Sequence, residues 1–228
     1  MKELLKEVDG IISVYKPKGI TSYDVIRTLK SRAEFSKIGH AGILDPLAEG
    51  VLLILIGRST RHFEKLRNLR KTYRAEVKFG FETSTGDMDG IPVFFSDARP
   101  SREKIASVLA GFTGTIEQVP PVYSALKYRG KKLCDYARDG VNLQPPSRKV
   151  TVYSIELLDF DFDSICLRIE CSGGTYIRSL VRDIGRAVGT FATLSGLIRE
   201  KVGDFDISNS LTLESIKGKC LKDLIKPG

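Results

Sequence analysis

The sequence predicts an α+β protein, because segments with the two-residue period of strands are interspersed with segments that have the spacing of amphipathic helices. Residues 51–56 form a continuous apolar run that ends at a glycine, which is typical of a strand buried on both faces. Residues 71–79 alternate between polar and apolar side chains, as a half-buried strand does. Residues 21–32 instead carry apolar side chains at helical spacing behind a threonine and a serine that can cap a helix.

The remaining elements follow from the same rules. An apolar run at 10–15 predicts the first strand, and the turn Lys16-Pro17-Lys18-Gly19 ends it. A charged helix is predicted at about 59–69, and Ser101 can cap a helix with an apolar inner stripe. Toward the C-terminus we expect strands at 149–158 and 165–171, a helix that starts near Thr175 and a short helix after Thr212.

The charge distribution points to a polyanionic partner. The formal net charge is +8 and the pI is near 9.3. Residues 58–78 contain eight basic against two acidic residues, and residues 118–150 contain seven against two. Two such islands are the expected footprint of a protein that binds a phosphate backbone, although solvated charged faces would give the same composition. The chain of 228 residues is long enough for one large domain, or for a domain with an inserted sub-domain, around a full apolar core.

The residue inventory argues against metal and cofactor chemistry. The chain has two histidines and four cysteines, and no two cysteines form a C-x-x-C pair. It contains neither a Walker motif nor a Rossmann glycine pattern, and the turn at 84–90 lacks the downstream glutamate of a calcium loop. We therefore expect no metal site, and no motif here calls for a nucleotide cofactor. Without a signal peptide or an apolar run of membrane length, we expect a cytoplasmic protein with reduced thiols.

Residues 39–51 form the most unusual stretch of the chain. They combine three glycines, Pro46, His40 and the carboxylates of Asp45 and Glu49. Pro46 favours extended backbone at Asp45, and the glycines permit positive φ or close approach of another chain segment. The stretch therefore predicts a shaped loop that presents Asp45. From spacing alone, an ordinary turn that starts at an Asp before a Pro remains an alternative.

The stretch GHAGILDPLAEGVL resembles the block Gly-His-x-Gly-x-Leu-Asp-Pro-x-Ala-x-Gly-Val-Leu of the TruB family of tRNA pseudouridine synthases. Three other segments are similar to the same family: KPKGITS near the N-terminus, Lys71-Thr72-Tyr73, and GTYIRSL at 174–180. Near 197–205 the leucine, one arginine, the glycine and the phenylalanine of the family pattern match. Ile198 and Glu200 depart from it there, and Ile43 departs from it in the first block.

The resemblance implies a fold and a domain organisation. The fold would be the pseudouridine synthase fold, with a mixed, largely antiparallel central sheet flanked by helices. The basic, proline-stiffened segment at about 118–150 would be an inserted thumb that grips RNA. The alternative is an ordinary surface excursion with a short helix near 131–138. We expect residues 1–228 to form one catalytic domain without a separate C-terminal RNA-binding domain.

The resemblance also implies a reaction and a set of site residues. The reaction is isomerisation of uridine 55 in the T loop of tRNA to pseudouridine by base flipping, glycosidic bond cleavage and joining of C5 to C1′, without a cofactor. Asp45 would be the nucleophile, Tyr73 would stack on the base, and Arg178 would pair with Asp45. Residues expected to bind the substrate are His40, Lys16, Tyr176 and Leu197.

Several alternatives remain open at the level of sequence. Lys16 could be a solvated turn lysine, and Tyr73 could serve only in packing. The partner expected from the resemblance is the T-arm stem-loop of tRNA, bound by a monomer that contacts no membrane and no small-molecule cofactor. A non-catalytic RNA-binding or tRNA chaperone module, or a pseudouridine synthase that acts on another RNA, would also explain the two basic islands.

Overall fold

The computed structural model describes residues 2–141 and 143–226. The strands, in chain order, are β1 (Glu3–Leu5), β2 (Gly10–Lys16), β3 (Ala33–Phe35), β4 (Ile38–Ala41), β5 (Ala48–Ile56), β6 (Lys71–Phe79), β7 (Phe81–Thr83), β8 (Pro92–Phe95), β9 (Gly114–Gln118), β10 (Lys127–Tyr128), β11 (Lys131–Lys132), β12 (Arg148–Phe160), β13 (Ser164–Cys171), β14 (Ala192–Val202), β15 (Phe205–Asp206) and β16 (Leu211–Thr212). The α-helices are α1 (Ser22–Arg32), α2 (Phe63–Arg67), α3 (Arg102–Leu109), α4 (Leu133–Arg138), α5 (Ile177–Ala187) and α6 (Leu213–Lys217), and short 3-10 helices span Gly57–His62, Ala110–Phe112, Ile207–Asn209 and Leu221–Leu224.

The described residues divide into two compact units, and the first is discontinuous in sequence. It contains residues 2–73 and 197–226. Its sheet has the order β16, β2, β5, β14, with β4 also paired to β5. The pairs β2–β5 and β4–β5 are antiparallel, whereas β14–β5 and β16–β2 are parallel. This is the mixed arrangement that the resemblance implies.

Strand β5 is buried on both faces, as its sequence predicts. Leu52, Ile54 and Ile56 pack into a cluster that includes the buried face of α1. Val51, Leu53 and Leu55 pack into a second cluster that includes Leu66 and Val202. Because successive side chains of a strand point to opposite faces, a six-residue apolar run is what two packed faces require.

Helix α1 is fixed at its start by a capping box. The hydroxyl of Thr21 accepts a hydrogen bond from the Asp24 amide, and the Asp24 carboxylate accepts one from the Thr21 amide. The side chains of Val25, Ile26 and Leu29 are buried. The helix therefore presents a defined N-terminal turn at residues 21 and 22.

The second unit contains residues 74–141 and 143–196. Its strands have the order β14, β6, β13, β12, β9, and the pairs β12–β13 and β12–β9 are antiparallel. Leu180, Val181 and Ile184 of α5 have no exposed surface. Helices and strands are interspersed in both units and most of the strand pairs described here are antiparallel, so the predicted α+β class is confirmed.

Two predicted helices differ from the observed ones. The helix expected at about 59–69 is a 3-10 helix over Gly57–His62 followed by the short α2. The helix expected near Thr175 begins at Ile177, because Tyr176 is extended and its backbone is held by another side chain. Both boundaries depend on contacts outside the local sequence.

The segment predicted to be a thumb contains the β10–β11 hairpin and α4. Residue 142 of this segment lies outside the described residues. The hairpin turns at Arg129 and Gly130, which both have positive φ. Within 2–141 and 143–226, no helix is long and apolar enough to cross a membrane.

Candidate active site

The loop that carries Asp45 lies between β4 and β5 and has the shape that its glycines predict. Gly42 has φ +83°, and Gly50 has φ +107°. A Cβ atom on Gly50 would lie 2.3 Å from the carbonyl oxygen of Arg199, so glycine permits β14 to approach β5 here. Gly39 meets neither condition, since a Cβ atom there would have no heavy atom within 4 Å.

Groups from other elements hold the backbone beside Asp45. The Ser22 hydroxyl accepts from the Leu44 amide at 2.9 Å and donates to the Leu44 carbonyl at 3.1 Å. The Gly19 amide donates to the Pro46 carbonyl at 2.8 Å. Asp45 itself starts a turn in which its carbonyl accepts from the Ala48 amide at 3.0 Å. The partly buried carboxylate is thus carried on an anchored backbone.

Lys16 is buried beside this loop, so the alternative of a solvated turn lysine is wrong. Its ammonium group donates to the carbonyls of Pro17 at 2.9 Å and Ile20 at 2.7 Å. Burial lowers the pKa of Lys16 to about 8, against the opposing effect of the negative charge of Asp45. The Lys16 ammonium and the Asp45 carboxylate are therefore close enough to interact electrostatically.

The second carboxylate of the loop has a structural partner. Glu49 accepts a hydrogen bond from the Tyr15 hydroxyl at 2.6 Å. Burial, together with the Glu49 charge, raises the pKa of Tyr15 to about 12. Glu49 consequently connects β5 to β2, whereas Asp45 lies on the loop that precedes β5.

His40 lies on β4 opposite Ile54 of β5. Burial lowers the pKa of His40, and the positive charge of Arg199 acts in the same direction. The ring is therefore neutral at pH 7, so it can act as a flat polar surface and not as a general acid. Its Nδ1 atom is buried and has no hydrogen-bond partner among the residues that the structure describes.

Leu197 and Tyr73 complete the predicted residues of the first unit. Leu197 is opposite Ala48 in the parallel pair β14–β5, which places it beside the end of the Asp45 loop. Tyr73 is 8% exposed and lies on the buried face of β6, as the alternation of that strand predicts. The first unit thus contains five of the seven predicted site residues.

Arg178 belongs to the second unit, in the first turn of α5, and is buried there. Its Nε atom is 3.5 Å from the Asp87 carboxylate. Its Nη1 and Nη2 atoms donate to the carbonyls of Thr85 at 2.8 Å and Tyr123 at 2.9 Å. Asp87 is buried too and accepts from the Thr85 hydroxyl at 2.5 Å. These contacts fix the plane of the guanidinium group.

Tyr176, two residues before Arg178, is half-buried and held by a side-chain amide. Gln118 accepts from the Tyr176 amide at 2.8 Å and donates to its carbonyl at 3.1 Å. The guanidinium group of Arg148 lies over the Tyr176 ring, 4.6 Å from its centre. The ring therefore has a defined position in the second unit.

The sequence does not predict the contacts that Ser22, Asp87 and Gln118 make with predicted site residues or with the Asp45 loop, and it marks Arg199 only as a match to the family pattern. The sequence predicts for Ser22 only a capping role, and the turn at 84–90, which contains Asp87, shows only an incomplete calcium-loop pattern. No spacing rule connects Asp87 with Arg178 or Gln118 with Tyr176, since each pair is brought together by the fold. The departure at Ile43 is mild, because its side chain is 56% exposed.

Comparison with known proteins shows the same pattern over most of the chain. A model described as TruB family pseudouridylate synthase (N terminal domain) matches residues 30–177. A relative from Clostridium tetani named tRNA pseudouridine synthase B is 41% identical over 221 residues, which are 96% of this chain and 76% of the relative. A relative of the same name from Caldanaerobacter subterraneus subsp. tengcongensis is 45% identical over 92% of this chain and 74% of the relative.

Solved structures share the fold. A chain of a Cbf5-Nop10-Gar1 complex is 30% identical with a TM-score of 0.72, over 96% of this chain and 60% of that chain. A chain of an archaeal box H/ACA sRNP Nop10-Cbf5 complex is 29% identical with a TM-score of 0.66, over 90% of this chain and 51% of that chain. The chain therefore spans between half and two thirds of the length of these solved chains.

Matches of this extent define the class of the protein as a pseudouridylate synthase. Within that class, the chain belongs to the TruB family.

Proposed function

We propose that this chain converts uridine 55 in the T loop of tRNA to pseudouridine, with Asp45 as the nucleophile. The observation that carries the proposal is the Asp45 loop, anchored through the backbone of Leu44 and Pro46, together with the buried ammonium group of Lys16, whose pKa the Asp45 charge raises. Relatives that match more than nine tenths of this chain are named tRNA pseudouridine synthase B. Uridine 55 as the target and the roles of the individual residues are what the resemblance to the TruB family implies.

The reaction needs an ionised carboxylate at the sugar. When the N-glycosidic bond breaks, positive charge develops at C1′, and a carboxylate can stabilise that charge or form a covalent adduct. The base then turns and joins C1′ through C5, the C5 proton leaves, and N1 takes up a proton, so no other group enters or departs. Lys16 favours the ionised form of Asp45, because an opposite charge stabilises a carboxylate against burial.

Tyr73 and Arg178 have supporting roles in this proposal. Tyr73 stacks on the base and Leu197 forms part of the pocket wall, which offsets part of the cost of unstacking the uridine from the loop. Arg178 supplies a fixed cation, and Asp87 orients its guanidinium group through the 3.5 Å contact. The pairing of Arg178 with Asp45 that the family resemblance implies stays a prediction.

The tRNA is bound through its phosphates and through the flipped base. The segment at 118–150 supplies the grip, because its hairpin presents Lys127, Arg129, Lys131 and Lys132 within six positions. In this proposal His40, neutral at pH 7, occupies the space that the flipped base leaves, and Tyr176 binds the substrate from the second unit. We expect a cytoplasmic monomer that requires neither a cofactor nor an accessory protein.

The first test is the release of tritium from a T-arm hairpin that carries uridine labelled at C5. The wild-type protein should release tritium from the position that corresponds to nucleotide 55. Asp45→Asn should lower the rate by more than roughly 10⁴-fold and leave hairpin affinity within about twofold, because the amide cannot act as nucleophile but retains the shape. Asp204→Asn, at an exposed position of the same unit, should behave as wild type.

The outcomes separate the alternatives. Turnover by Asp45→Asn at the wild-type rate would exclude Asp45 as the nucleophile. Tight, salt-dependent binding by a wild-type protein that releases no tritium would favour an RNA-binding or chaperone module. Activity on another RNA but not on the hairpin would show that the protein catalyses the reaction on a substrate other than the T loop of tRNA.

A further inference from the structure

The residue before Asp45 is held by a single side chain. The Ser22 hydroxyl contacts both backbone polar groups of Leu44, accepting from its amide and donating to its carbonyl. Ser22 is 3% exposed, so water does not compete for these two hydrogen bonds. Because Ser22 is the first residue of α1, its own position is fixed by the capping box of that helix. The orientation of the Leu44 peptide groups thus depends on α1.

The residue after Asp45 is held as well. Pro46 has no amide proton, so its carbonyl is its only backbone polar group, and that carbonyl accepts from the Gly19 amide at 2.8 Å. The rigid proline ring and the turn bond from Ala48 to the Asp45 carbonyl restrict the backbone further. The backbone is thus restrained on both sides of Asp45.

Arg199 joins the two ends of the loop. Its Nε atom donates to the Val51 carbonyl at 2.7 Å, and its Nη1 atom donates to the Ile43 carbonyl at 3.3 Å. These carbonyls lie on opposite sides of Asp45 in the chain, so one planar guanidinium group fixes the width of the loop. A lysine in its place could not reach both carbonyls with the same geometry.

The charge of Arg199 is unusual for a group that serves only in packing. The side chain is 1% exposed, and its Nη2 atom is buried without a hydrogen-bond partner among the described residues. Burial of a cation with an unsatisfied donor costs stability. The positive charge also acts on Lys16 and His40, two of the predicted site residues. A buried cation that lowers stability and also acts on two predicted site residues is expected of a residue that serves the site and not only packing.

We propose that Ser22 and Arg199 are positioning residues that hold the Asp45 loop in its reactive geometry. They act on the chemical step and not on RNA affinity. This inference rests on the proposed role of Asp45, and it adds two residues whose side chains hydrogen-bond to backbone groups on either side of Asp45. The physical reason is that a misplacement of a reacting group by about 1 Å can cost roughly 10²-fold in rate.

The test compares Ser22→Ala with Ser22→Thr. Ser22→Ala removes both bonds to Leu44 and should lower the single-turnover rate on a T-arm hairpin by roughly 10- to 100-fold, with hairpin affinity within about twofold. Ser22→Thr retains a hydroxyl and should recover the rate to within about fivefold of wild type. The matched control is Ser13→Ala, which removes the 2.8 Å hydroxyl contact between Ser13 and Ser210 elsewhere in the same unit. The control should have the wild-type rate.

Arg199→Lys tests whether the site depends on the two hydrogen bonds of the guanidinium group or only on its positive charge. The lysine preserves the charge but lacks the planar fork that spans the carbonyls of Val51 and Ile43, so the rate should fall by roughly tenfold or more while affinity is preserved. A wild-type rate in Arg199→Lys, or a loss that lies entirely in hairpin affinity, would overturn the positioning role.

Hydrogen exchange gives a readout that does not depend on activity. In Ser22→Ala and Arg199→Lys, peptides that cover residues 39–51 should exchange faster than in wild type, whereas peptides from β2 should not change. Equal exchange at 39–51 in Ser22→Ala and Ser13→Ala would overturn the inference even in an active enzyme. An inactive wild type would refute the proposed function, and the exchange comparison would still decide whether the loop is held by Ser22 and Arg199.

Discussion

Lys16 has no exposed surface, although an ammonium group is among the most costly groups to bury. Two backbone carbonyls and the charge of Asp45 offset that cost in part, while the nearby Arg199 increases it. The result is a pKa of about 8 for Lys16. At neutral pH the group is therefore still a cation, and its charge is available to the carboxylate of Asp45.

This lowered pKa predicts how stability depends on pH. Unfolded lysine has a pKa of about 10.4, so between pH 8 and about 10.4 the unfolded chain binds a proton that folded Lys16 has lost. Unfolding then requires proton uptake, and the contribution of Lys16 to the free energy of unfolding rises with pH in this window. Below pH 8 both states are protonated and the full cost of burying the ammonium group remains.

Urea unfolding of wild type and Lys16→Met between pH 7 and pH 10 checks this linkage. The free energy of unfolding of wild type, relative to the variant, should be constant up to about pH 8 and should rise by about 2 kcal/mol by pH 10. Lys18→Met, at an exposed lysine of the same turn, should show no such rise. A difference between wild type and Lys16→Met that is flat across the whole range would show that the ammonium group is not buried as described.

Asp87 and Arg178 form a buried ion pair in the second unit, so removal of one partner should be costly. Asp87→Ala should lower the free energy of unfolding by roughly 3 kcal/mol, because it removes a counter-charge from a buried guanidinium group. The single-turnover rate should fall as well, since Arg178 loses the contact that orients it. Asp89→Ala, two positions away and exposed, should cost less than about 0.5 kcal/mol. Equal stability of the two variants, measured by urea unfolding, would contradict the ion-pair description.

At the scale of elements, the parallel contact between β5 and β14 positions the site in the first unit. Ala48, Glu49 and Gly50 are opposite Leu197, Ile198 and Arg199. The contact brings Leu197 beside the Asp45 loop and directs Arg199 to its two carbonyl partners. It exists in this form because Gly50 has no side chain to separate the two backbones.

Two glycines that flank Asp45 make a matched pair for a test of this contact. Gly50→Ala should lower the free energy of unfolding by roughly 2 to 4 kcal/mol, because the new methyl group clashes with the Arg199 backbone and φ is +107°. Gly39→Ala should change it by less than about 0.5 kcal/mol, because nothing lies within 4 Å of the new Cβ atom. Thermal or urea unfolding measures both, and similar values for the two variants would refute the close approach.

At the scale of the whole molecule, local patterns predicted the elements better than the contacts between them. The strands at 10–15, 51–56 and 71–79 and the capped helix from residue 22 followed from periodicity and capping chemistry. The Asp45 loop was recognisable because its glycines and proline restrict backbone geometry locally. These signals are carried by neighbouring residues, so the sequence contains them directly.

The missed parts of the site depend on contacts that are distant in sequence. Ser22 and Leu44 are 22 positions apart, and Arg199 and Val51 are 148 positions apart. Nothing in the composition of either neighbourhood specifies which carbonyl a buried guanidinium group will contact. The roles of Asp45, Tyr73 and Arg178 came from resemblance to a family, because a single carboxylate, tyrosine or arginine has many structural uses.

The discontinuity of the first unit has a consequence for synthesis of the chain. During translation, the Asp45 loop leaves the ribosome well before Leu197 and Arg199, which at about 5 to 20 residues per second is a delay of many seconds. Until then Val51 and Ile43 lack the guanidinium group that joins them. A nascent chain can therefore form α1 and the β2–β5 pair early, but Arg199 can join the two ends of the Asp45 loop only after most of the polypeptide has been made.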